Sequence, residues 1–497
     1  MAFSFDDLFK PKSIAIVGAS KRLNFGSAFF IHALKVLDYE GKVYYINPKY
    51  KGDKLFGRTI IGSLDEIDHK VDLVYSCVPA RIVPEITGQC ARREDKFLVV
   101  FTSGFSELLT EDAVELENKL LNIIKNSSTR IIGPNCLGPY CPKGRVGWDT
   151  GFPPPKRPGN VAFASQSGGH ASNLIRVASG RGFYYSKGLS FGNQIDINCL
   201  DMLEYYASTP DSKVIAFYLE STGSADGNEF FKKLNEITLK KPVVIWKGGQ
   251  TETGTRAAAS HTGAISGSLK IWKSMINQAG GIFVKDSEEF WDMIHLLAIL
   301  VEDRQIEKVG KIERIGLITP GGGNSVEMTD IFTRNGLKIP VLSQITQEKL
   351  EELLPPVNTA VKNPIDLGAV GLIERVFISC CKYIDKDPNI DVIVNFQPID
   401  WLVRADENFG SVGYVRSVAR TFGRLVRKRK NNERKIEKPI IQVSPNFNLE
   451  EKVGKQYPEY LEILRSKHVP VFTSTKRLAK SLKLYNLYIE YLLNNKS

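Results

Sequence analysis

The chain has 497 residues, a hydrophobic content of 42% and a net charge of +11. This length predicts about three domains. The sequence has no apolar run long enough to span a membrane, and its first ten residues do not form a signal peptide. Seven cysteines without a CxxC pair indicate free thiols and no structural metal site. We therefore expect a cytoplasmic protein that does not associate with membranes.

The first 150 residues alternate short apolar strands with helical segments. Each apolar run ends in turn residues, as at Asn47-Pro48, Pro79, Ser103-Gly104 and Asn135. This alternation predicts a parallel, doubly wound sheet. In such sheets ligands bind at the carboxyl ends of the strands, where these turns lie.

The first turn, from Gly18 to Gly26, differs from the dinucleotide-binding pattern GxGxxG because Ser20 occupies the position of the second glycine. That glycine normally lets the backbone approach a pyrophosphate, so the turn gives little support for NAD. Ser20, Lys21 and Arg22 offer hydroxyl, amide and cationic donors for the phosphates of a nucleotide such as coenzyme A. A plain strand-to-helix turn remains the alternative.

A proline-rich segment at 151–159 predicts a linker to a second α/β region. There, a strand is followed by Ser167, Gly168 and Gly169 and then by a helical segment. Free N–H groups at a helix N-terminus bind anions, so these residues predict a phosphate site. Ordinary capping by Ser167 is the alternative. We do not assign a catalytic role to the adjacent His170.

Two further residues of this region are candidates for chemistry. His261 lies within a segment made almost entirely of Gly, Ala, Ser and Thr, which suits a nucleophile for phosphoryl groups. A histidine that stabilises a turn is the other reading. Glu220 follows an apolar strand and could accept the Nδ1–H of His261, leaving Nε2 as the nucleophile. An ordinary surface carboxylate is the alternative for Glu220.

The last region begins near residue 313 and again alternates strands with helices. We predict domain boundaries at 1–150, 160–301 and 313–497. A basic run at 424–438 could suggest nucleic acid, but it has no interleaved aromatic residues and contains acidic ones. We interpret it as a solvated helix end and loop, and we expect no nucleic-acid partner.

Taken together, these segments resemble the α subunit of the ADP-forming (NDP-forming) acyl-CoA synthetases, which are relatives of succinyl-CoA synthetase. The resemblance implies a Rossmann-like CoA-binding domain followed by two flavodoxin-like domains. It implies that His261 is the phosphorylated histidine and that Glu220 is the glutamate that holds its ring in place. The phosphate would bind at Ser167, Gly168 and Gly169. The residues that it matches to CoA-binding turns are Gly18, Ser20, Lys21, Arg22, Asn47, Pro48, Lys49, Val78, Pro79, Ser103, Gly104 and Asn135.

The resemblance also implies a reaction: acyl-CoA, ADP and phosphate are interconverted with a small carboxylic acid, CoA and ATP. The sequence contains no GxxxxGK[ST] phosphate loop and has no residues left for an ATP-grasp domain. We therefore expect a separate ATP-grasp β subunit that binds ADP or ATP with Mg²⁺, in an α2β2 assembly. His170 stands where a small residue is expected, which leaves the shape of the substrate pocket open.

Two other functions compete with this interpretation. A CoA or acyl-CoA sensor or scaffold would bind CoA without any phosphoryl transfer, but it would need neither His261 nor Glu220. An NAD-dependent dehydrogenase is disfavoured by Ser20. The sequence does not identify the carboxylic acid.

Overall fold

A computed structural model describes residues 4–21, 26–254, 256, 268–303, 309–409, 413–426, 436–447 and 450–495. The chain forms two compact units, one of residues 1–179 and 184–286 and the other of residues 180–183 and 287–497. The first unit contains two sheets and the second contains one. The division into three domains remains a prediction.

The first sheet of unit 1 has seven strands in the order β3-β4-β2-β1-β5-β6-β7. All neighbouring strands are parallel except β3 and β4. The strands are β1 Ser13–Val17, β2 Lys42–Ile46, β3 Lys54–Leu55, β4 Arg58–Ile61, β5 Leu73–Ser76, β6 Phe97–Val100 and β7 Arg130–Ile132. The helices are α1 Phe5–Phe9, α2 Ser27–Val36, α3 Val83–Arg93 and α4 Glu111–Ile124.

The second sheet has the order β13-β12-β11-β9-β10-β8. Its parallel strands β9 to β13 follow the flavodoxin order 2-1-3-4-5, which places a topological switch point between β9 and β11. The strands are β8 Gly138–Tyr140, β9 Val161–Ser165, β10 Tyr185–Ser190, β11 Val214–Leu219, β12 Val243–Lys247 and β13 Ile282–Val284. The helices are α5 Gly168–Ala178, α6 Cys199–Ser208, α7 Gly227–Thr238 and α8 Leu269–Gln278.

Unit 2 contains a parallel sheet in the order β15-β14-β16-β17-β18, again the flavodoxin order. The strands are β14 Ile315–Thr319, β15 Ile365–Asp366, β16 Val392–Phe396, β17 Ile440–Val443 and β18 Val471–Phe472. The helices are α9 Ser287–Asp303, α10 Gly322–Arg334, α11 Gln344–Leu353, α12 Glu374–Asp385, α13 Ile399–Phe409, α14 Tyr414–Val426, α15 Glu451–Arg465 and α16 Thr475–Asn495.

The central strands are apolar because both faces of each sheet are covered. Strands β1, β5, β6, β9 and β11 are buried along their whole length, as expected for parallel strands with helices on both faces. All seven cysteines are free thiols. None of the helices in the described ranges is both long enough and apolar enough to cross a bilayer.

The two sheets of unit 1 meet at a close backbone approach. Strand β8 belongs to the predicted first domain but pairs antiparallel with β10 in the second sheet. The amide groups of Asn193 and Ile195 donate to the carbonyls of Pro134 and Gly133, at 3.0 and 3.2 Å. Gly192 lies beside this contact with φ +51°, and a Cβ there would come within 2.0 Å of the Pro134 oxygen. The contact fixes the turn after β7 against the turn after β10.

We predict that Gly192→Ala lowers the stability of unit 1 by more than about 2 kcal/mol, because it adds a backbone clash to a strained dihedral angle. Thermal unfolding of the purified chain measures this as a lower transition temperature. The matched control is Gly227→Ala, since an added Cβ meets nothing within 4 Å there. An unchanged transition for Gly192→Ala would contradict the proposed role of this contact.

Candidate functional site

The predicted CoA-binding turns lie together at the carboxyl edge of the first sheet. Gly18 follows β1 with φ +84°, and a Cβ there would lie 2.7 Å from the Cys77 oxygen. The amide groups of Gly18 and Ala19 donate to the Ile46 carbonyl at 2.9 and 3.2 Å, and that of Ser20 donates to Ser27 Oγ at 3.2 Å. The turn therefore uses these amide groups internally, so phosphate binding here depends on side chains.

Two lysines supply positive charge at this edge. The amines of Lys21 and Lys49 lie 5.8 and 5.7 Å from the centre of the Tyr50 ring, and Lys21 pairs with Asp53 at 2.6 Å. Asn47 fixes the arrangement: its Nδ2 donates to the Ala19 carbonyl at 2.8 Å. Pro48 begins a short 3₁₀ turn that carries Lys49. Arg22 lies outside the described residues.

The remaining predicted CoA turns are joined by hydrogen bonds. Thr102 Oγ1 donates to the Val78 carbonyl at 2.5 Å, next to Pro79. The Asn135 amide donates to the Thr102 carbonyl at 3.1 Å. Beyond Ser103, the Gly104 amide donates to Glu107 Oε1 at 2.6 Å.

A cavity of about 580 Å³ lies where the turn that contains Asn135 meets the second sheet. It is bounded by the turn after β7, by the N-terminal half of α5 and by the turn after β10. The lining residues are Phe101, Asn135, Cys136, Leu137, Thr150, Gln166, Ser167, Gly168, Gly169, Ser172, Asn173, Gly192 and Asn193. The predicted phosphate-binding residues and Asn135 therefore share one cavity.

The N-terminus of α5 opens into this cavity. Ser167 is the N-cap, and its Oγ accepts from the His170 amide at 3.3 Å. The amide groups of Gly168 and Gly169 have no protein acceptor within the described residues, so they are available to an anion. A Cβ at either glycine would meet no protein atom closer than 3.6 Å. Close packing therefore does not require glycine at these two positions. The absence of side chains instead leaves the N-terminus of α5 accessible from the cavity.

Glu220 follows β11 on the other side of the switch point and is 5% exposed. Gln166, at the end of β9, accepts through Oε1 from the amide groups of Glu220 and Ser221. Tyr218 donates its hydroxyl to Glu220 Oε1 at 3.0 Å. Glu220 Oε2 is buried and has no hydrogen-bond partner among the described residues. A buried carboxylate oxygen in this state is ready to accept from an incoming N–H group.

His170 lies close to this carboxylate. Its ring centre is 4.5 Å from the ring centre of Tyr218 and 4.5 Å from that of Trp246. Burial lowers the pKa of His170, while the negative charge of Glu220 acts in the opposite direction. The imidazole is therefore favoured as a neutral ring that packs against two aromatic side chains. His261 lies outside the described residues.

The segment that leads towards His261 begins at a packed position. Lys247 ends β12, is 1% exposed and donates through Nζ to the Gly248 carbonyl. Burial lowers the pKa of Lys247 to about 8, against the opposing effect of Glu220. A Cβ on Gly248 would lie 2.6 Å from the Tyr218 hydroxyl and 3.0 Å from Glu220 Cγ. A side chain at position 248 would thus displace the Tyr218 hydroxyl, which donates to the glutamate.

Three residues that organise the site are not among those predicted from the sequence. Tyr218 donates to the Glu220 carboxylate. Gln166 accepts from the amide groups of Glu220 and Ser221, and Asn193 donates through Nδ2 to Glu107 Oε2 at 2.7 Å. Gln166 could have been predicted as a site residue, since a polar residue that directly follows a buried strand tends to lie at the ligand-binding edge of the sheet. Asn193 could not have been predicted from the sequence, because its role depends on the contact between the two sheets.

Two family models match most of unit 1. The CoA binding domain matches residues 12–142, and the succinyl-CoA ligase like flavodoxin domain matches residues 158–297. The chain has the fold of a dinucleotide-forming acetyl-coenzyme A synthetase 1 of Ca. Korarchaeum cryptofilum, solved in complex with phosphate and ADP. The TM-score is 0.80 at 26% identity, with 99% of each chain covered.

The fold and the site thus define a CoA-dependent ligase subunit of the succinyl-CoA ligase type. The chain is 34% identical over 394 residues to the α subunit of the ADP-forming acetate–CoA ligase II of Pyrococcus furiosus, covering 78% of this chain and 81% of that one. It is 35% identical to an ADP-forming acetate–CoA ligase of Methanocaldococcus jannaschii, of which it covers 48%. The chain belongs to the family of α subunits of ADP-forming acid–CoA ligases.

The cavity contains a thiol that could be mistaken for a nucleophile. Cys136 is 3% exposed, and burial raises its pKa to about 12. It is therefore a neutral thiol at pH 7 and donates weakly to the carbonyls of Ile132 and Val100, at 3.4 and 3.5 Å. It is a poor candidate for an acyl-thioester intermediate.

We predict that Cys136→Ala retains acyl-CoA turnover within about threefold, because the thiol is not ionised and makes only weak hydrogen bonds. The measurement is the acyl-CoA-dependent rate of the complete enzyme, together with the rate at which native protein reacts with iodoacetamide at Cys136. A loss of turnover above a hundredfold, with CoA binding retained, would contradict this assignment.

Proposed function

We propose that this chain is the α subunit of a two-subunit enzyme that interconverts acyl-CoA, ADP and phosphate with carboxylic acid, CoA and ATP. The observation that carries the proposal is the buried, unpartnered Oε2 of Glu220 across the switch point from the open N-terminus of α5. A hydrogen-bond acceptor and an anion site close to each other are what a phosphorylated imidazole requires.

In this mechanism phosphate displaces CoA from the acyl-CoA and forms an acyl phosphate. Nε2 of His261 then takes the phosphoryl group, which releases the carboxylic acid. Glu220 accepts the Nδ1–H of the ring and stabilises its positive charge. Ser167, Gly168 and Gly169 donate to the phosphoryl oxygens and offset their negative charge.

CoA binds across the carboxyl edge of the first sheet in this proposal. Lys21 and Lys49 pair with its phosphates, while the backbone turns at Val78–Pro79 and Ser103–Gly104 hold the rest of the molecule. The edge is formed by Gly18, Ser20, Asn47 and Pro48. Arg22, which follows Lys21 in the sequence, is a further CoA-binding residue in this proposal. Asn135 lies at the cavity, where the thiol meets the reacting carbonyl.

The nucleotide is bound elsewhere. We propose that a separate ATP-grasp β subunit holds ADP or ATP with Mg²⁺ and that the two subunits form an α2β2 assembly. The segment 248–262 carries phospho-His261 to that nucleotide. Relatives that are named α subunits support a partner of this kind.

Two other functions make different predictions. A CoA sensor would bind CoA and never form phosphohistidine, and it would have no use for a buried glutamate with a free acceptor oxygen. An NAD-dependent dehydrogenase would need free backbone amides at the first turn, but those of Gly18, Ala19 and Ser20 already donate within the protein.

The proposal predicts that Glu220→Gln lowers the rate of phosphohistidine formation by about a hundredfold or more, because the amide cannot stabilise the charged ring. CoA affinity should not change, since CoA binds on the other sheet. Glu229→Gln, at an exposed position of α7, is the matched control. Equal loss of phosphorylation and of CoA binding in Glu220→Gln would indicate misfolding and would contradict the assigned role.

The CoA assignment predicts that Lys21→Met weakens CoA binding about tenfold, since a charge-assisted contact to phosphate is lost. Titration calorimetry with CoA at two salt concentrations measures it, and the variant should show the weaker salt dependence. Lys232→Met, on an exposed part of α7 outside this edge, is the control. An unaltered CoA affinity of Lys21→Met would show that Lys21 does not contact CoA.

A further inference from the structure

Unit 2 contains a cavity of its own, with a volume of about 220 Å³. Its lining residues come from α9, α15, β18, the start of α16 and the segment 180–183, all of which belong to unit 2. The residues predicted for CoA binding, phosphate binding and catalysis all belong to unit 1. The unit 2 cavity therefore shares no residue with the site described above.

The lining of the unit 2 cavity carries one more positive charge than negative charge. Its charged residues are Arg181, Arg477 and Asp292. Arg477 donates to both carboxylate oxygens of Asp292, and its Nε lies 2.7 Å from Oδ2. His295 adds no charge, because its Nε2 accepts from the Val471 amide at 2.9 Å and burial lowers its pKa to about 3. The pair of Arg477 and Asp292 is neutral, so the charge of Arg181 remains.

Arg181 has hydrogen-bond donors to spare. Its Nη1 donates to Asp292 Oδ1 at 3.3 Å, a long bond to an oxygen that Arg477 already uses. Its guanidinium carbon lies 4.5 Å from the ring centre of Trp291. The other N–H groups of this guanidinium have no acceptor among the residues that the structure describes. The side chain is 26% exposed, so a ligand can reach these donors, which suit a carboxylate or a phosphate.

The protein compensates the charge of Arg181 only in part. Burial lowers the pKa of Arg181, and repulsion by Arg477 acts in the same direction, against the attraction of Asp292 and Glu288. Glu288 pairs with Arg477 at 3.5 Å, is 63% exposed and does not line the cavity. Since a guanidinium stays protonated in proteins, an anion bound beside Arg181 would be stabilised.

The rest of the lining is mostly apolar. Leu461, Val471 and Phe472 contribute hydrocarbon surface, and burial raises the pKa of Tyr457 to about 12, which keeps its phenol neutral. Thr473 Oγ1 accepts from Arg477 at 3.0 Å, so its own proton can be donated. The volume equals that of about seven molecules of liquid water, which is more than one phosphate ion occupies. Apolar walls with a few polar groups are typical of sites for organic molecules.

We propose that the unit 2 cavity binds a small organic monocarboxylate, with the carboxylate on Arg181 and the hydrocarbon part against Leu461 and Phe472. One uncompensated positive charge matches one carboxylate. The apolar walls favour a hydrocarbon part over a fully hydrated anion such as phosphate, because a polar group beside them would lose its water without replacement. Binding here requires neither a partner subunit nor phosphohistidine, so it is independent of the proposed function.

The test is titration calorimetry of the full chain with benzoate, benzamide and inorganic phosphate. Benzamide has nearly the same shape as benzoate but no charge. We expect benzoate to bind at least about tenfold more tightly than either of the others, because only benzoate combines a charge-assisted contact with an apolar body. Equal affinities for benzoate and benzamide would overturn the role of Arg181. Phosphate that binds as tightly as benzoate would overturn the assignment of an organic acid.

Two variants locate the bound acid. Arg181→Gln should weaken benzoate binding about tenfold or more, since the charge-assisted contact is lost, and it leaves Asp292 paired with Arg477. Leu461→Phe reduces the volume of the cavity without changing any charge, so it should weaken binding even if Arg181→Gln disturbs folding. Arg375→Gln, at an exposed position on α12, is the matched control and should retain the benzoate affinity.

Benzoate bound in the cavity of unit 1 would not respond to these variants. An unchanged benzoate affinity in both Arg181→Gln and Leu461→Phe would therefore place the acid elsewhere and overturn the proposal. The absence of benzoate binding to the unaltered chain would overturn it as well. Weaker binding in both variants, with phosphohistidine formation in the complete enzyme unchanged, would establish a carboxylate site apart from the chemistry.

Discussion

The site depends on a buried carboxylate that the protein holds but does not fully satisfy. Gln166 accepts from the backbone amide groups of Glu220 and Ser221, and Tyr218 donates its hydroxyl to one oxygen of the Glu220 carboxylate. The other oxygen is buried without a partner in the described residues. Leaving it so costs stability, of the order of 1–3 kcal/mol. In the proposed mechanism, the Nδ1–H of the His261 imidazole would donate to this oxygen and recover the free energy.

The flavodoxin order of the second sheet puts the two halves of the site together. Gln166 and Ser167 follow β9, and Glu220 follows β11, so the glutamate and the helix N-terminus lie at the same switch point. The backbone contact around Gly192 brings the turn after β7 to the same place. Asn135, from the set predicted to bind CoA, and the predicted phosphate-binding residues consequently line a single cavity.

Much of this architecture could be predicted from the sequence. Apolar runs that end in turn residues indicated parallel sheets, and the edge residues Gly18, Asn47 and Asn135 lie where such sheets bind ligands. The sequence could not predict that Asn193 would reach Glu107, because this contact depends on how two sheets pack. It also could not show that the amides of the first turn donate internally, since that depends on backbone direction at Ile46.

Glycine illustrates a second limit. Gly248 follows β12 in the segment of small residues that leads to His261, and the structure packs it against Tyr218 and Glu220. Gly168, in contrast, is not packed closely, since an added Cβ would meet no protein atom closer than 3.6 Å. Whether a glycine serves motion or packing is decided by neighbours from other strands, and one sequence does not contain that information.

The most direct test of the account is to locate the phosphoryl group. The chain would be incubated with labelled ATP and Mg²⁺, with and without its ATP-grasp subunit, and acid-labile, base-stable label would be mapped by mass spectrometry. We expect label on His261 that requires the partner and disappears in His261→Ala. Label elsewhere on the chain, or no label with an active partner while CoA still binds, would contradict it.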